Sequence, residues 1–366
     1  MVIKSLLGLL VVVFTLFLTS QAGVVSYRKT QCAGTVHKAF NPACCKWFRV
    51  LDDLQTNVLH STCGDASHSA LRIVFHDAIG FSKTKKFGDG ADGSIIMFGE
   101  TELEFAANNG IDEIAGDLKR VADTHGKSYG DIIQFAGAVG VANCAGAPRL
   151  KFLAGRPNAT RPASEGTVPE AFQSVDTILA RMHDAGFSPD ELVALLASHT
   201  MAAADKVDIT IPGTPFDSTP DSFDSQFFIE TRLKGVAFPG KGHKRGEVAS
   251  PLVGEMRLQS DFALARDHRT ACTWQSFIKN QTLMNQCFSY AMEKLSVLGQ
   301  NTKHLLDCSE VIPHPESLKT IPHLPAGKTM ADVEQACAAT PFPKLPTAIG
   351  PATIVKPVES CDGDGN

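Results

Sequence analysis

The chain has 366 residues and a formal charge of −5, with no basic run. That balance argues against a nucleic-acid partner held through its phosphates. No stretch beyond the first residues is long and apolar enough to span a bilayer, so no membrane partner is expected. Met1 to about Ala22 reads as a secretory signal peptide: Lys4 is the basic start, Leu6–Leu18 the apolar stretch, and Ser20-Gln21-Ala22 a small-residue cleavage site. Arg28-Lys29 offers a second processing site, making residues 23–29 a short propeptide and Thr30 the approximate mature start. The remainder is long enough for one large domain or two packed lobes.

Ten cysteines in an exported chain read as disulfides, and without a C-x-x-C pair a structural zinc site is not expected. After the Cys44-Cys45 pair, Trp47, Val50, Leu51, Leu54 and Val58 recur at helical spacing. Asp65 to about Ile79 forms the next helix, with Arg72 and His76 four residues apart on one face and Asp77 pointing elsewhere. Ser128-Tyr-Gly-Asp131 resembles a cap before the apolar run Ile132–Val141. Ser188-Pro189-Asp190-Glu191 is a fuller start signal: an N-cap, a proline at the first helical position and a glutamate that closes the capping box. It launches a helix through Ser198 that ends at His199. Trp274–Leu298 reads as one further long helix. Strand signals are few and short, so the fold is expected to be mainly α with long loops, and no repeat of 20–50 residues is present. Nine of the twenty prolines follow Val311, which predicts a tail laid over the surface in extended form. Asn158-Ala-Thr160 and Asn280-Gln-Thr282 are glycosylation sequons.

Arg72 and His76 pair a fixed cation with a titratable imidazole. A neutral imidazole can take a proton from a bound peroxide and return it to the leaving oxygen, while the cation stabilises charge as the O–O bond breaks. Asn108 is the candidate acceptor for the other ring nitrogen. His199 is the candidate axial iron ligand, with Asp261 accepting its second N–H and making the imidazole more electron-donating. Two oxygen-rich loops adjoin these histidines. Asp77 combines with Gly90-Ala-Asp92-Gly-Ser94, and Thr200 with Asp217-Ser-Thr219-Pro-Asp-Ser222-Phe-Asp224. Calcium takes six to eight such oxygens. Either loop alone would read as an ordinary Asp/Gly turn; two loops, each tied to a histidine's neighbour, point to calcium.

These motifs resemble the secreted fungal class II haem peroxidases, the lignin, manganese and versatile peroxidases. The likeness rests on Arg72–Asp77, Gly90–Ser94, Gly155–Asn158, Leu196–Thr200, Phe216–Asp224 and Met256–Cys272, and covers nearly all of Gln31–Cys308. It implies a two-lobed, plant-peroxidase-like helical fold around one haem b, with one calcium ion per lobe. The distal haem lobe would span residues 30–160, the proximal lobe 161–310 and the tail 311–366. Distal roles are implied for Arg72, Phe75, His76 and Asn108, and proximal roles for His199, Phe216 and Asp261. Asp77, Gly90, Asp92 and Ser94 fall on the distal calcium ligands; Thr200, Asp217, Thr219, Ser222 (through its carbonyl) and Asp224 fall on the proximal ones. The family's disulfide pattern implies Cys32–Cys45, Cys44–Cys308, Cys63–Cys144 and Cys272–Cys337, and leaves the pairing of Cys287 and Cys361 open.

Two family sites for reducing substrates are incomplete. The manganese positions are Asp65, Ser69 and Asp205, so a glutamate has become a shorter aspartate and another has lost its charge, although Mn(II) favours anionic oxygens. Ala194 stands where lignin and versatile peroxidases expose a tryptophan. The expectation is therefore a secreted, monomeric peroxidase that uses hydrogen peroxide to oxidise phenols and dyes, fitting lignin degradation. An atypical manganese peroxidase working through Asp65 and Asp205 is the alternative. A catalytically silent, calcium-stabilised binding protein would lack haem absorbance.

Overall fold

The computed structural model describes residues 29–84 and 88–359. The expected signal peptide, nearly all of the expected propeptide, and Cys361 lie outside the described residues.

Helix α1 (Cys45–Asn57) buries Trp47, Phe48, Val50, Leu51 and Leu54 along one face. Helix α2 (Asp65–Ala78) carries Arg72 and His76. Two short turns, α3 (Ser94–Met97) and α4 (Gly99–Glu102), lead to a 3₁₀ turn at Ala106–Asn108. Helix α5 (Asp112–His125) ends at Gly126 in the left-handed conformation. Helix α6 (Tyr129–Ala142) starts as expected, with the Asp131 N–H donating to the Ser128 hydroxyl. It is buried around almost its whole circumference and packs along α2. Glycine sets that spacing: a Cβ on Gly137 would lie 2.3 Å from Val74 Cγ2, and one on Gly140 would lie 3.0 Å from the Ser67 carbonyl oxygen. The helix that carries Arg72 and His76 is thus held by a neighbour that leaves it little room to shift.

The second half contains α7 (Val175–Ala185), α8 (Pro189–Leu195), α9 (Gln226–Glu230), α10 (Gln259–Leu264), α11 (Ala271–Phe277) and α12 (Gln281–Ser296). The full capping box at Ser188 and Glu191 is present. Two expectations need correction. The α8 helix stops at Leu195, and residues Leu196–Met201 tighten into a 3₁₀ turn that bears His199. The Thr200 hydroxyl there donates to Asp217, so a bond to the oxygen-rich loop, not a Gly or Pro signal, accompanies the change of pitch. The run Trp274–Leu298 is two helices. It breaks at residues 278–280, where the Asn280 side chain accepts the Leu283 N–H and caps α12.

The described residues hold three antiparallel pairs of two-residue strands. One pairs Ala203–Ala204 with Thr214–Pro215 and so closes the loop that carries Asp205. The tail runs extended over the surface, with Val355 donating to Val253 and Val358 to Gly213 through their backbone N–H groups. Disulfides join Cys32–Cys45, Cys44–Cys308, Cys63–Cys144 and Cys272–Cys337. Cys287, half-buried on α12, has no disulfide partner among the described residues.

Candidate active site

The His76 Nδ1 lies 2.8 Å from Asn108 Oδ1, and the Asn108 amide Nδ2 donates to the Glu102 carbonyl oxygen at 2.8 Å. The second bond fixes the amide's orientation, so its oxygen faces the imidazole and His76 Nδ1 must be the donor. Nε2 then keeps its lone pair and is available as a base. Burial and the Arg72 guanidinium one turn away push the His76 pKa down to about 3. Arg72 is held by the same short segment, with Nη2 donating to the carbonyls of Ala107 and Asn109 at 3.3 and 3.1 Å. Burial lowers its pKa only to about 10, which leaves it cationic. Phe75 packs on the core, its ring edge-on to that of His76. A cavity of about 290 Å³ reaches His76 and Asn108 from an opening at Glu165 and Gly166. His199 is not part of its lining.

His199 Nδ1 lies 2.9 Å from Asp261 Oδ2, and the carboxylate is buried at the start of α10. The rings of Phe216 and Phe227 flank the imidazole at 5.1 and 5.4 Å. Its side chain nevertheless stays 24% accessible among these packed rings.

Behind each histidine lies a pair of buried carboxylates. Asp77 accepts the backbone N–H groups of Gly93 and Ile95, and Asp92 that of Ser94, while Asp92 Oδ2 has no partner among the described residues. Burial and the neighbouring Asp92 drive the Asp77 pKa well upward, and burial pushes Asp92 up to about 7. Gly90, at φ +93°, seats this loop so tightly that a Cβ would lie 2.3 Å from the Leu298 carbonyl oxygen. On the other side, the Thr200 hydroxyl donates to Asp217 at 2.6 Å and the Thr219 hydroxyl to Asp224 at 3.1 Å. The Ser222 N–H donates to the Thr219 carbonyl, which curls the loop. Burial and Asp224 raise the Asp217 pKa well above its usual range, and burial pushes Asp224 up to about 6. Adjacent buried carboxylates with few donors are costly unless a cation joins them.

Residues 49–280 match the peroxidase family, and residues 283–360 match the fungal peroxidase extension region. The chain belongs to the fungal class II haem peroxidases. It is 54% identical over 348 residues to manganese peroxidase 3 of Phlebia radiata, covering 93% of this chain and 96% of that one. It is 56% identical over 339 residues to versatile peroxidase VPS1 of Pleurotus eryngii (90% and 91% covered). To ligninase H2 of Phanerodontia chrysosporium it is 52% identical over 363 residues (97% of each). The protein is therefore an oxidoreductase that acts on hydrogen peroxide, with the mainly α fold of that class. Peroxidases of this class carry one haem b and two calcium ions. The residues present fit those groups: both histidines engage Nδ1 and keep Nε2 for chemistry or ligation, and each oxygen loop holds two buried carboxylates beside hydroxyls and carbonyls.

Of the three expected manganese positions, Asp65 and Asp205 carry carboxylates and Ser69 does not. Asp205 Oδ1 accepts the Gly213 N–H at 2.7 Å, and its charge acts on Arg72 and His68. Asp65 lies in the first turn of α2. Among the described residues no three His, Cys, Asp or Glu side chains come together to hold a metal ion.

Sequence reasoning misses the supports of this machinery. Glu102 orients Asn108 through its carbonyl, and its buried carboxylate accepts the Ala163 N–H. In sequence it sits between Glu100 and Glu104, a run that reads as a solvated face. Arg156 and Asp131 form a buried ion pair at 2.9 Å, and Arg156 also donates to the Ser296 carbonyl. Glu230 accepts from both the backbone and the hydroxyl of Ser218 beneath the proximal loop. No local pattern marks any of the three as buried.

Proposed function

We propose that this peroxidase oxidises phenols and dyes by one-electron steps at the edge of the haem, outside the cell and as a monomer. The observation that carries this reading is that both tryptophans of the chain, Trp47 and Trp274, are buried at 1% and 0% exposure. Ala194, where lignin and versatile peroxidases present their surface tryptophan, is buried too. The manganese positions offer two carboxylates and a serine. The cavity that opens at Glu165 and ends at His76 is the remaining route for a reductant. Its phenolic substrates fit a role in lignin degradation. The residues 1–22 serve export, and Asn158 and Asn280, both exposed, accept glycans; Asn280 uses Oδ1 as a helix cap, which leaves Nδ2 for the sugar.

Haem b, when bound, supplies the iron at which the O–O bond is cleaved. His76 takes the proton from the nearer peroxide oxygen on Nε2 and delivers it to the departing one, so that water leaves. With its pKa near 3, the imidazole starts neutral across the working range. Asn108 holds the tautomer that this transfer needs. Arg72, fixed by two carbonyls, faces the developing negative charge without having to move. His199 holds the iron, and the Asp261 carboxylate strengthens its imidazole as a donor. Asp77, Gly90, Asp92 and Ser94 hold one calcium ion, and Thr200, Asp217, Thr219, Ser222 and Asp224 the other, fixing the segments that aim the two histidines.

Stopped-flow reduction of the peroxide-oxidised enzyme tests the proposal by comparing a neutral phenol with Mn(II). Rapid reduction by phenol and sluggish reduction by millimolar Mn(II) is the expected result. Fast Mn(II) reduction saturating at low concentration would instead assign the enzyme to manganese oxidation through Asp65 and Asp205.

A further inference from the structure

A groove of about 240 Å³ runs between α11 and the tail. Ser276, Lys279 and Asn280 line it from one side, and Thr340, Pro341 and Pro343 from the other. Both walls are tied in place. The Cys272–Cys337 disulfide joins α11 to the tail covalently. The Gln275 amide donates to the carbonyls of Thr340 and Pro341 at 2.9 and 3.0 Å, and Lys279 Nζ donates to the Lys344 carbonyl at 3.3 Å. Behind the tail wall Phe342 and Leu345 join the core, and the Phe342 N–H donates to the Gln335 side-chain oxygen at 2.7 Å.

Asn280 belongs both to this lining and to the Asn280-Gln-Thr282 sequon. Its Oδ1 is spent on the Leu283 N–H at 3.0 Å, which leaves Nδ2 for a sugar. A sugar joined there starts at the groove, so its binding is intramolecular and avoids the entropy cost of recruiting a free ligand. The lining suits a saccharide. Pro341 and Pro343 offer apolar ring faces for the C–H groups of a sugar, and neither brings an N–H that would need a partner. The Ser276 hydroxyl donates to the Thr273 carbonyl at 2.7 Å and keeps its lone pairs as acceptors. Thr340 Oγ1 accepts from Gln275 at 2.9 Å, and its O–H faces only the disulfide sulfur of Cys337 at 3.5 Å, a weak acceptor. Apolar faces with a few placed polar groups are the usual make-up of a small-ligand site. The volume is below the roughly 300–1,000 Å³ of drug-sized pockets, which fits one sugar ring and not a branched chain. Resting on the reading that Asn280 carries a glycan, we propose that its first N-acetylglucosamine is seated in this groove and fastens the tail to α11.

The test uses the secreted, glycosylated holoenzyme and reads hydrogen exchange of the 335–345 segment, which contains the hydrogen-bonded Phe342 amide. Thr282→Ala deletes the sequon but keeps Asn280 and its cap, and exchange there should quicken about three- to tenfold, the worth of roughly one net hydrogen bond. Thr282→Ser retains the sequon and should exchange like the wild type. An endoglycosidase that cuts between the two innermost sugars leaves a single N-acetylglucosamine, and this trimmed enzyme should also match the wild type. Asn158→Gln, which removes the other sequon, should leave the segment unchanged. Equal exchange in wild type and Thr282→Ala, or a trimmed enzyme that exchanges like Thr282→Ala, would overturn the seat while the glycan itself stands. Glycopeptide mass spectrometry separates the two levels: an Asn280 without sugar overturns the glycosylation reading and the seat together.

Discussion

His76 donates Nδ1–H to a neutral amide, whereas His199 donates its Nδ1–H to a carboxylate, at the nearly equal distances of 2.8 and 2.9 Å. The distal imidazole sits beside the Arg72 cation and is pushed toward its neutral form. The proximal one has no such cation and instead leans on Asp261, flanked by Phe216 and Phe227. One side chain type thus serves two purposes. A base that must release its proton within one turnover needs a weak acceptor behind it, and a ligand that must push electron density onto a metal needs an anionic one. The chemistry of each side is set by its second neighbour more than by the imidazole.

The largest effect is expected from His76→Leu, which removes the base and should slow the reaction with hydrogen peroxide by about 10²–10⁴-fold in stopped flow. A loss below tenfold would transfer the main role to Arg72 and break the comparison at its distal end. Asp261→Asn keeps the shape but replaces the anion behind His199, making the two sides alike. It should raise the haem reduction potential and lower turnover by about 10–100-fold. An unchanged potential would mean that Asp261 only positions the ring. Asn108→Leu removes one hydrogen bond behind His76, a loss of about 1 kcal/mol, so the peroxide reaction should slow roughly two- to tenfold.

The smallest change concerns stability and sharpens the same contrast at the calcium loops. Burial raises the pKa of Asp92 to about 7 and of Asp224 to about 6. Such raised carboxylates favour the folded state while protonated, and that contribution is lost as pH rises from the unfolded value through the folded one. Calcium offsets the repulsion once they ionise. Chelated enzyme should therefore melt progressively lower from about pH 5 to about pH 8, by roughly 2–4 °C for each kcal/mol lost, while calcium-loaded enzyme should not follow. Parallel curves with and without chelator would show that these carboxylates do not hold the ion.

Much of the active site can be read from local pattern, because its chemistry is written in short spacings. Four residues separate Arg72 from His76 on one helical face, and a capping box announces the helix that leads to His199. Alternating oxygen donors mark both loops proposed to hold calcium. The long-range partners are another matter. Asn108 lies 32 residues from His76 and Asp261 lies 62 from His199, and the residues themselves look like a turn asparagine and an ordinary aspartate. Resemblance to a family supplies them, and local physics does not.

By itself the sequence determined the helical period, the caps, the placing of Arg72 and His76 on one face of α2 and the donor-rich loops, since each depends on neighbours within a turn or two. Only the tertiary structure decided where α8 tightens into 3₁₀ geometry, where Asn280 splits one apolar run into α11 and α12, and that Glu102 is buried between two glutamates in the chain. It also decided that Arg245 is stacked on Phe172. These outcomes depend on which distant groups satisfy a backbone carbonyl, an amide or a charge, and no local spacing encodes that choice.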